Sequence, residues 1–104
     1  MSDQSATPGT GLASDVKDEV KPPKMYRVLM HNDDYTTMEF VVAVLVSVFK
    51  KTSEEAVEIM LNVHQRGAGV CGVYTANIAE TKIETVHGRA KDYGFPLRCS
   101  MEPE

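Results

Sequence analysis

The ten residues from His31 to Phe40 constrain the fold more than any other segment of the chain. They begin with a polar turn that carries one amide and two carboxylates: Asn32, Asp33 and Asp34. Thr36 and Glu39 then stand at the spacing of a capping box, which predicts that a helix begins at about residue 37. Oxygen acceptors are therefore expected beside an apolar helix face. Such an arrangement suits a ligand that is cationic at one end and apolar at the other.

A strand and two helices are predicted in the first part of the chain. Apolar side chains alternate along 25–30 and predict a strand, and apolar side chains at helical spacing predict a helix over 37–50. Thr52 and Glu55 form a second capping box, which predicts the start of another helix. Gly67 is expected to end that helix.

The second part of the chain predicts two strands and one helix. Residues 70–74 predict a short strand, and 97–101 alternate apolar and polar side chains as a last strand. Between them, 76 to about 92 predict a third helix, with Gly94 as its stop signal. The resulting order, β-α-α-β-α-β, predicts a small two-layer α/β sandwich with a sheet covered by helices.

Length and charge limit the classes of partner. The chain has 104 residues and a net charge of −4, so we expect one small domain. An acidic chain is poorly suited to nucleic acid or to an anionic membrane, both of which need clustered Lys and Arg. Residues 1–24 are polar and predict a disordered tail, which leaves 25–104 as the folded domain.

The distribution of apolar residues predicts a cytoplasmic protein. No apolar run reaches the roughly 18 residues of a membrane span, and no signal peptide is recognisable. Cys71 and Cys99 form no CxxC motif, and we expect them to be reduced and to pack as small apolar side chains.

Catalysis and metal binding are not favoured by the sequence. No signature of a reactive thiol surrounds Cys71 or Cys99, and no Gly-rich phosphate loop is present. Asp33, Asp34 and His64 could be imagined as metal ligands, but their spacing matches no known metal motif. We therefore expect no enzyme activity, no metal and no cofactor, and keep a small hydrolase using Cys71 or that cluster as an alternative hypothesis.

Binding is favoured by one face of the second predicted helix. Met60, Val63 and His64 follow the i, i+3, i+4 spacing and share that face. If the first two helices pack together, this face adjoins Met38 and Val41 beside the polar turn. His64 would then lie near the acceptors of the turn, although a histidine on an apolar face is more often a core residue.

Several motifs resemble one known family across residues 22–102. They are Pro22-Pro23-x-Met25-Tyr26, His31-Asn32-Asp33-Asp34-Tyr35-Thr36-x-Met38-Glu39-Phe40-Val41, Met60-Leu61-x-Val63-His64, Cys71-Gly72-Val73-x-Thr75-Ala76, Ala79-Glu80-Thr81-Lys82 and Pro96-Leu97-x-Cys99. In this order they resemble the ClpS family, the bacterial adaptors that deliver N-degron substrates to the Clp protease. The resemblance implies an α/β sandwich with a three-stranded antiparallel sheet.

The resemblance also implies what the residues do. A ClpS-like protein binds substrates that begin with Leu, Phe, Tyr or Trp and delivers them, as a monomer, to the ClpA unfoldase of the ClpAP protease. The substrate α-ammonium would be held by Asn32, Asp34 and His64, with Asp33 in the same turn. The side-chain pocket would be lined by Thr36, Met38, Val41, Met60, Val63 and Leu97, with Met38 as its gate. Glu80 and Lys82 would contact the N-terminal domain of ClpA, and the tail would assist handover.

Two positions depart from the family pattern. Thr37 stands where proline is usual, so a slightly looser helix start is expected. Asn77 occupies a position that is often acidic, which puts the strength of the ClpA contact in question. The alternative binding hypothesis is a ribosomal-stalk-like domain of the same fold, which would not require Asn32, Asp34 and His64 to converge.

Overall fold

The computed structural model describes residues 21–104, which form three strands and three helices. In chain order they are β1 (Met25–His31), α1 (Met38–Ser47), α2 (Ser53–Arg66), β2 (Ala68–Thr75), α3 (Ala76–Tyr93) and β3 (Arg98–Pro103). The predicted order of elements, β-α-α-β-α-β, is confirmed. Residues 21–24 form neither helix nor strand, and the rest of the predicted tail lies outside the described residues.

The central strand of the sheet is β1, which pairs antiparallel with β2 on one side and with β3 on the other. Val28 and Met30 are completely buried on its inner face, at 0% exposure, and Cys71 and Cys99 are buried beside them. The alternation predicted for this strand is therefore confirmed. Because β1 ends at His31, the polar turn emerges from the middle of the sheet edge.

All three helices contribute to one buried cluster against the sheet. Their fully or nearly buried side chains are Val41, Val44 and Leu45 in α1, Ala56 and Val63 in α2, and Ala79, Val86 and Ala90 in α3. Burial of these apolar side chains is the main force that holds α1 and α2 side by side. This packing brings the N-terminal end of α1 next to the C-terminal half of α2.

The ends of α2 and α3 follow the sequence signals. The Thr52 hydroxyl accepts from the Glu55 N–H at 3.1 Å, and the Glu55 carboxylate accepts from the Thr52 N–H at 2.9 Å. This capping box is confirmed. Gly67 and Gly94 end their helices with φ of +88° and +77°, in the left-handed region that glycine adopts without steric cost.

The capping box predicted from Thr36 to Glu39 is wrong by one residue. Thr37 is the cap of α1, and its hydroxyl accepts from the Phe40 N–H at 3.1 Å. The Thr36 hydroxyl is already used, since it donates to the Asp33 carboxylate at 2.8 Å. Competition from this neighbouring carboxylate shifts the helix start, and α1 is shorter than the predicted 37–50.

Candidate functional site

A pocket of about 280 Å³ opens where the polar turn meets the start of α1 and the C-terminal half of α2. Its walls are formed by Asn32, Asp33, Asp34, Thr36, Met38, Val41, Met60, Val63 and His64. The fold thus gathers into one concavity nine of the ten side chains expected at a substrate site. No Lys or Arg side chain lines the pocket, so its charged groups are carboxylates.

The polar turn is fixed to both helices that form the pocket. The Asn32 N–H donates to the Gly67 carbonyl at 2.9 Å, which ties the start of the turn to the C-terminal end of α2. Its other end leads directly into the Thr37 cap of α1. The turn therefore bridges the two helices, and its side chains are held at the rim of the pocket.

Asp33 organises this turn. Its carboxylate accepts from the Tyr35 N–H at 2.8 Å, from the Thr36 N–H at 2.7 Å and from the Thr36 hydroxyl. Partial burial alone would raise the pKa of Asp33, but these three donors outweigh it and hold the pKa below its ordinary value. The anionic form of Asp33 is thus favoured, and its acceptor positions are largely used inside the protein.

The other polar side chains of the rim are free to meet a ligand. Asn32, Asp34 and His64 are exposed, and none of their side chains hydrogen-bonds to another residue of 21–104. An amide oxygen, a carboxylate and a neutral imidazole nitrogen can all accept hydrogen bonds. Together with the Asp33 charge, they form an acceptor-rich rim that suits a cationic donor.

The interior of the pocket is apolar. Val41 and Val63 are buried at its base, whereas Met60 is half-buried and Met38 is 50% exposed at its mouth. Methionine adapts its unbranched chain to many shapes, so a mouth lined by methionines can close around different apolar groups. Leu97, the tenth expected residue, does not line the pocket itself.

Leu97 lies behind the pocket. It is 3% exposed and lines a void of about 20 Å³. That void shares Asn32, Asp33, Thr36, Val41 and Val63 with the pocket. Leu97 therefore supports the base of the pocket from the side of β3.

The two residues expected at a partner surface differ in their surroundings. Glu80 is exposed on α3. The Lys82 ammonium instead donates to the Val48 carbonyl at 2.8 Å and lies 5.2 Å from the ring centre of Tyr74 and 5.9 Å from that of Phe49. Sequence reasoning missed this contact because no local spacing connects a lysine to a carbonyl 34 positions earlier.

The two thiols are buried under the helices. Contact with the neighbouring Cys99 thiol, together with burial, raises the pKa of Cys71 far above its ordinary value. A thiol that stays protonated is a poor nucleophile, so Cys71 is not suited to nucleophilic chemistry. Among residues 21–104, no three His, Cys, Asp or Glu side chains are grouped so as to hold a metal ion. The helices of this range include none that is both long and apolar enough to span a membrane.

Comparison with known sequences gives a consistent result. Residues 21–100 match the family model described as ATP-dependent Clp protease adaptor protein ClpS. A ClpS adapter protein of Oleidesulfovibrio alaskensis is 62% identical over 87 residues, which are 84% of each chain. One of Desulfatibacillum aliphaticivorans is 71% identical over 82 residues, 79% of each chain. One of Nitratidesulfovibrio vulgaris is 59% identical over 102 residues, 98% of each chain.

A solved structure shares the fold. Agrobacterium tumefaciens ClpS2, determined bound to L-phenylalaninamide, superimposes with a TM-score of 0.77 at 41% sequence identity. The match covers 80% of this chain and 100% of the other. This structural match agrees with the three-stranded α/β sandwich described above.

Proposed function

This chain belongs to the ClpS family of ATP-dependent Clp protease adaptor proteins, and we propose that its pocket binds the first residue of N-degron substrates. The substrates begin with Leu, Phe, Tyr or Trp, and the adaptor delivers them to the ClpA unfoldase of the ClpAP protease in the cytoplasm. One observation carries the proposal: free hydrogen-bond acceptors surround the mouth of a pocket with an apolar base.

The polar rim matches the substrate α-amino group. A free α-amino group has a pKa of about 7.7–8.0 and is mostly an ammonium at neutral pH. Asp34 can accept a charge-assisted hydrogen bond from it, while Asn32 and neutral His64 supply two further acceptors. Asp33 contributes its charge from within the turn. An internal residue of a polypeptide has no ammonium and would leave these groups without a partner.

The apolar interior matches the substrate side chain. Burial of a Leu or Phe side chain contributes roughly 1.5–3 kcal/mol. Val41 and Val63 would contact the side chain at the base, and Met38 would close over it as the gate. L-phenylalaninamide, the ligand of the solved ClpS2 structure, combines an α-amino group with an aromatic side chain and supports this division of the pocket.

Delivery requires a second surface, which we place on the N-terminal part of α3. Glu80 is exposed there and available to the N-terminal domain of ClpA. Lys82 would contribute by fixing this part of α3 against the end of α1 through its bond to the Val48 carbonyl. Asn77 lies on the same helix and is exposed, so it would form part of the contact.

The decisive experiment compares a labelled Leu-initiated peptide with the same peptide acetylated at its N-terminus, by fluorescence anisotropy. Acetylation removes the charge and two of the donors, and we expect a loss of at least about 100-fold because the rim is left unpaired. A Gln-initiated peptide with a free amino group tests the pocket separately. Retention of affinity by the acetylated peptide would show that the rim does not hold an ammonium.

A further inference from the structure

Met38 differs from the other methionines of the described chain in its surroundings. Residues 21–104 contain five methionines, and among them only Met38 is exposed, at 50%. Met30 is completely buried, and half-buried positions are occupied by the other three, Met25, Met60 and Met101. Met38 belongs neither to the hydrophobic core nor to the side chains packed on it. Its thioether is therefore the one that a reagent in solution reaches most easily.

The exposed thioether stands at the mouth of the pocket. Met38 lines the pocket together with Asp33 and Asp34, whose carboxylates make this end acidic. Oxidation of a thioether to a sulfoxide converts a flexible apolar side chain into a polar one. When the gate closes over an apolar substrate side chain, the sulfoxide oxygen would be buried against carbon without a hydrogen-bond donor. The pocket thus has a chemically sensitive group where the substrate side chain enters.

The same change would leave the fold intact. The start of α1 is held by Thr37, whose hydroxyl accepts from the Phe40 N–H and whose carbonyl accepts from the Val41 N–H, each at 3.1 Å. The Met38 side chain contributes neither to these bonds nor to the core. Oxidation at Met38 would therefore act on the pocket, whereas oxidation of Met30 would place a polar group in the core.

The two thiols are shielded from the same oxidant. Cys71 and Cys99 are 0% and 4% exposed under the helices. The susceptibility of a sulfur atom to peroxide follows its exposure and, for a thiol, its thiolate character. Met38 is therefore the sulfur-containing residue that we expect to react first within the described chain.

We infer that Met38 is a site of reversible oxidation by peroxides, and that its sulfoxide lowers the affinity of the pocket for substrates. This inference rests on the proposed function and adds a form of control to it. The sulfur lone pair attacks one oxygen of hydrogen peroxide, an S–O bond forms as the O–O bond breaks, and the other oxygen leaves as water with both protons. Sulfur loses two electrons, and the peroxide gains them. A methionine sulfoxide reductase reverses the change with two electrons and two protons from a dithiol, and the oxygen leaves as water.

The test begins with a limited treatment of the full chain with hydrogen peroxide, stopped by catalase. Peptide mapping by mass spectrometry should find the sulfoxide at Met38 before it appears at Met30. A labelled Leu-initiated peptide without methionine, added afterwards, should bind about five- to ten-fold more weakly by fluorescence anisotropy. Treatment with two methionine sulfoxide reductases, one for each sulfoxide epimer, should restore the affinity. Unchanged affinity of a protein oxidised at Met38, or oxidation of Met30 ahead of it, would overturn the inference.

Leucine variants assign the effect to one sulfur, and each variant is compared with itself before and after treatment. Met38→Leu has no thioether at the mouth of the pocket and should lose no affinity on oxidation, whatever its starting affinity. Met25→Leu is the matched control, since Met25 is half-buried in β1 and does not line the pocket. It should lose affinity on oxidation as the wild type does. A loss that persists in Met38→Leu would contradict the assignment.

Two further measurements separate this inference from other causes. Urea denaturation should give the same free energy of unfolding before and after oxidation of Met38, because the side chain lies outside the core. A large loss of stability would trace the weaker binding to unfolding and would count against a local effect on the pocket. The comparison of free and acetylated peptides is made on untreated protein and tests the proposed function alone. A protein that passes it but binds equally well after oxidation has the proposed pocket without this control.

Discussion

The two ends of α1 both combine polar groups with apolar side chains, yet they differ in whether the polar groups have partners. At the N-terminal end, Asn32, Asp34 and His64 are exposed and unpaired within the described chain. At the C-terminal end, the Val48 carbonyl accepts from Lys82, whose ammonium also lies over two aromatic rings. Satisfied polar groups stabilise the fold, whereas a concave cluster of unsatisfied acceptors is available for a ligand.

The largest expected effect on peptide affinity comes from Asp34, next to the N-terminal end of α1. Asp34→Asn removes the charge while keeping the shape of the side chain. We expect affinity for a Leu-initiated peptide to fall about 10- to 100-fold, since hydrogen bonds between charged groups contribute more than neutral ones. Thermal stability should barely change, because the carboxylate has no partner within the described protein.

Glu39→Gln is the matched control for Asp34. It makes the same carboxylate-to-amide change at an exposed position of α1 that does not line the pocket. An equal loss of affinity in the two variants would show that the peptide responds to the net charge near the N-terminal end of α1 and not to a direct contact with Asp34. Isothermal titration calorimetry with one peptide measures both variants.

A somewhat smaller effect is expected from His64. Its side chain is exposed at the rim of the pocket, and an imidazole nitrogen can accept a hydrogen bond from the substrate ammonium. His64→Leu removes this acceptor, and affinity for a Leu-initiated peptide should fall about ten-fold by fluorescence anisotropy. His64→Gln keeps an oxygen acceptor and should lose less; equal losses in the two variants would contradict a role for His64 as an acceptor.

At the C-terminal end of α1, the expected effect is on the free energy of unfolding. Lys82→Met keeps the apolar part of the side chain but removes the donor to the Val48 carbonyl. The free energy of unfolding should fall by about 1–3 kcal/mol, the cost of leaving a partly buried acceptor without its charged donor. Urea denaturation measures this change.

Lys91→Met is the matched control for Lys82, since Lys91 is exposed on the same helix and donates to no carbonyl of the described chain. It should change the free energy of unfolding much less. If Lys82→Met instead lowered peptide affinity as strongly as Asp34→Asn, at a temperature where both proteins are folded, the contrast between the two ends of α1 would be lost.

Most of the fold was predictable because its signals are local. The capping box from Thr52 to Glu55, the stop at Gly67 and the alternation of β1 each involve residues near one another in the chain. The pocket residues were identified through the resemblance, since spacing alone could not show that His64 meets the turn. Two features were beyond prediction. Whether the Thr36 hydroxyl bonds to Asp33 or caps the helix depends on side-chain geometry. The hydrogen bond from Lys82 to the Val48 carbonyl depends on tertiary packing.

The smallest expected effect concerns Thr37, the departure from the family pattern at the start of α1. A looser helix start was expected there, but Thr37 caps α1 through its hydroxyl, which proline lacks. Thr37→Ala should therefore cost about 1 kcal/mol of unfolding free energy. Thr37→Pro should cost less than Thr37→Ala, because the φ of −72° at this position suits proline and the ring restricts the unfolded chain. Urea denaturation of both variants separates the contribution of the hydroxyl cap from that of the proline ring. An alanine variant as stable as the wild type would show that the cap does not stabilise the N-terminal end of α1.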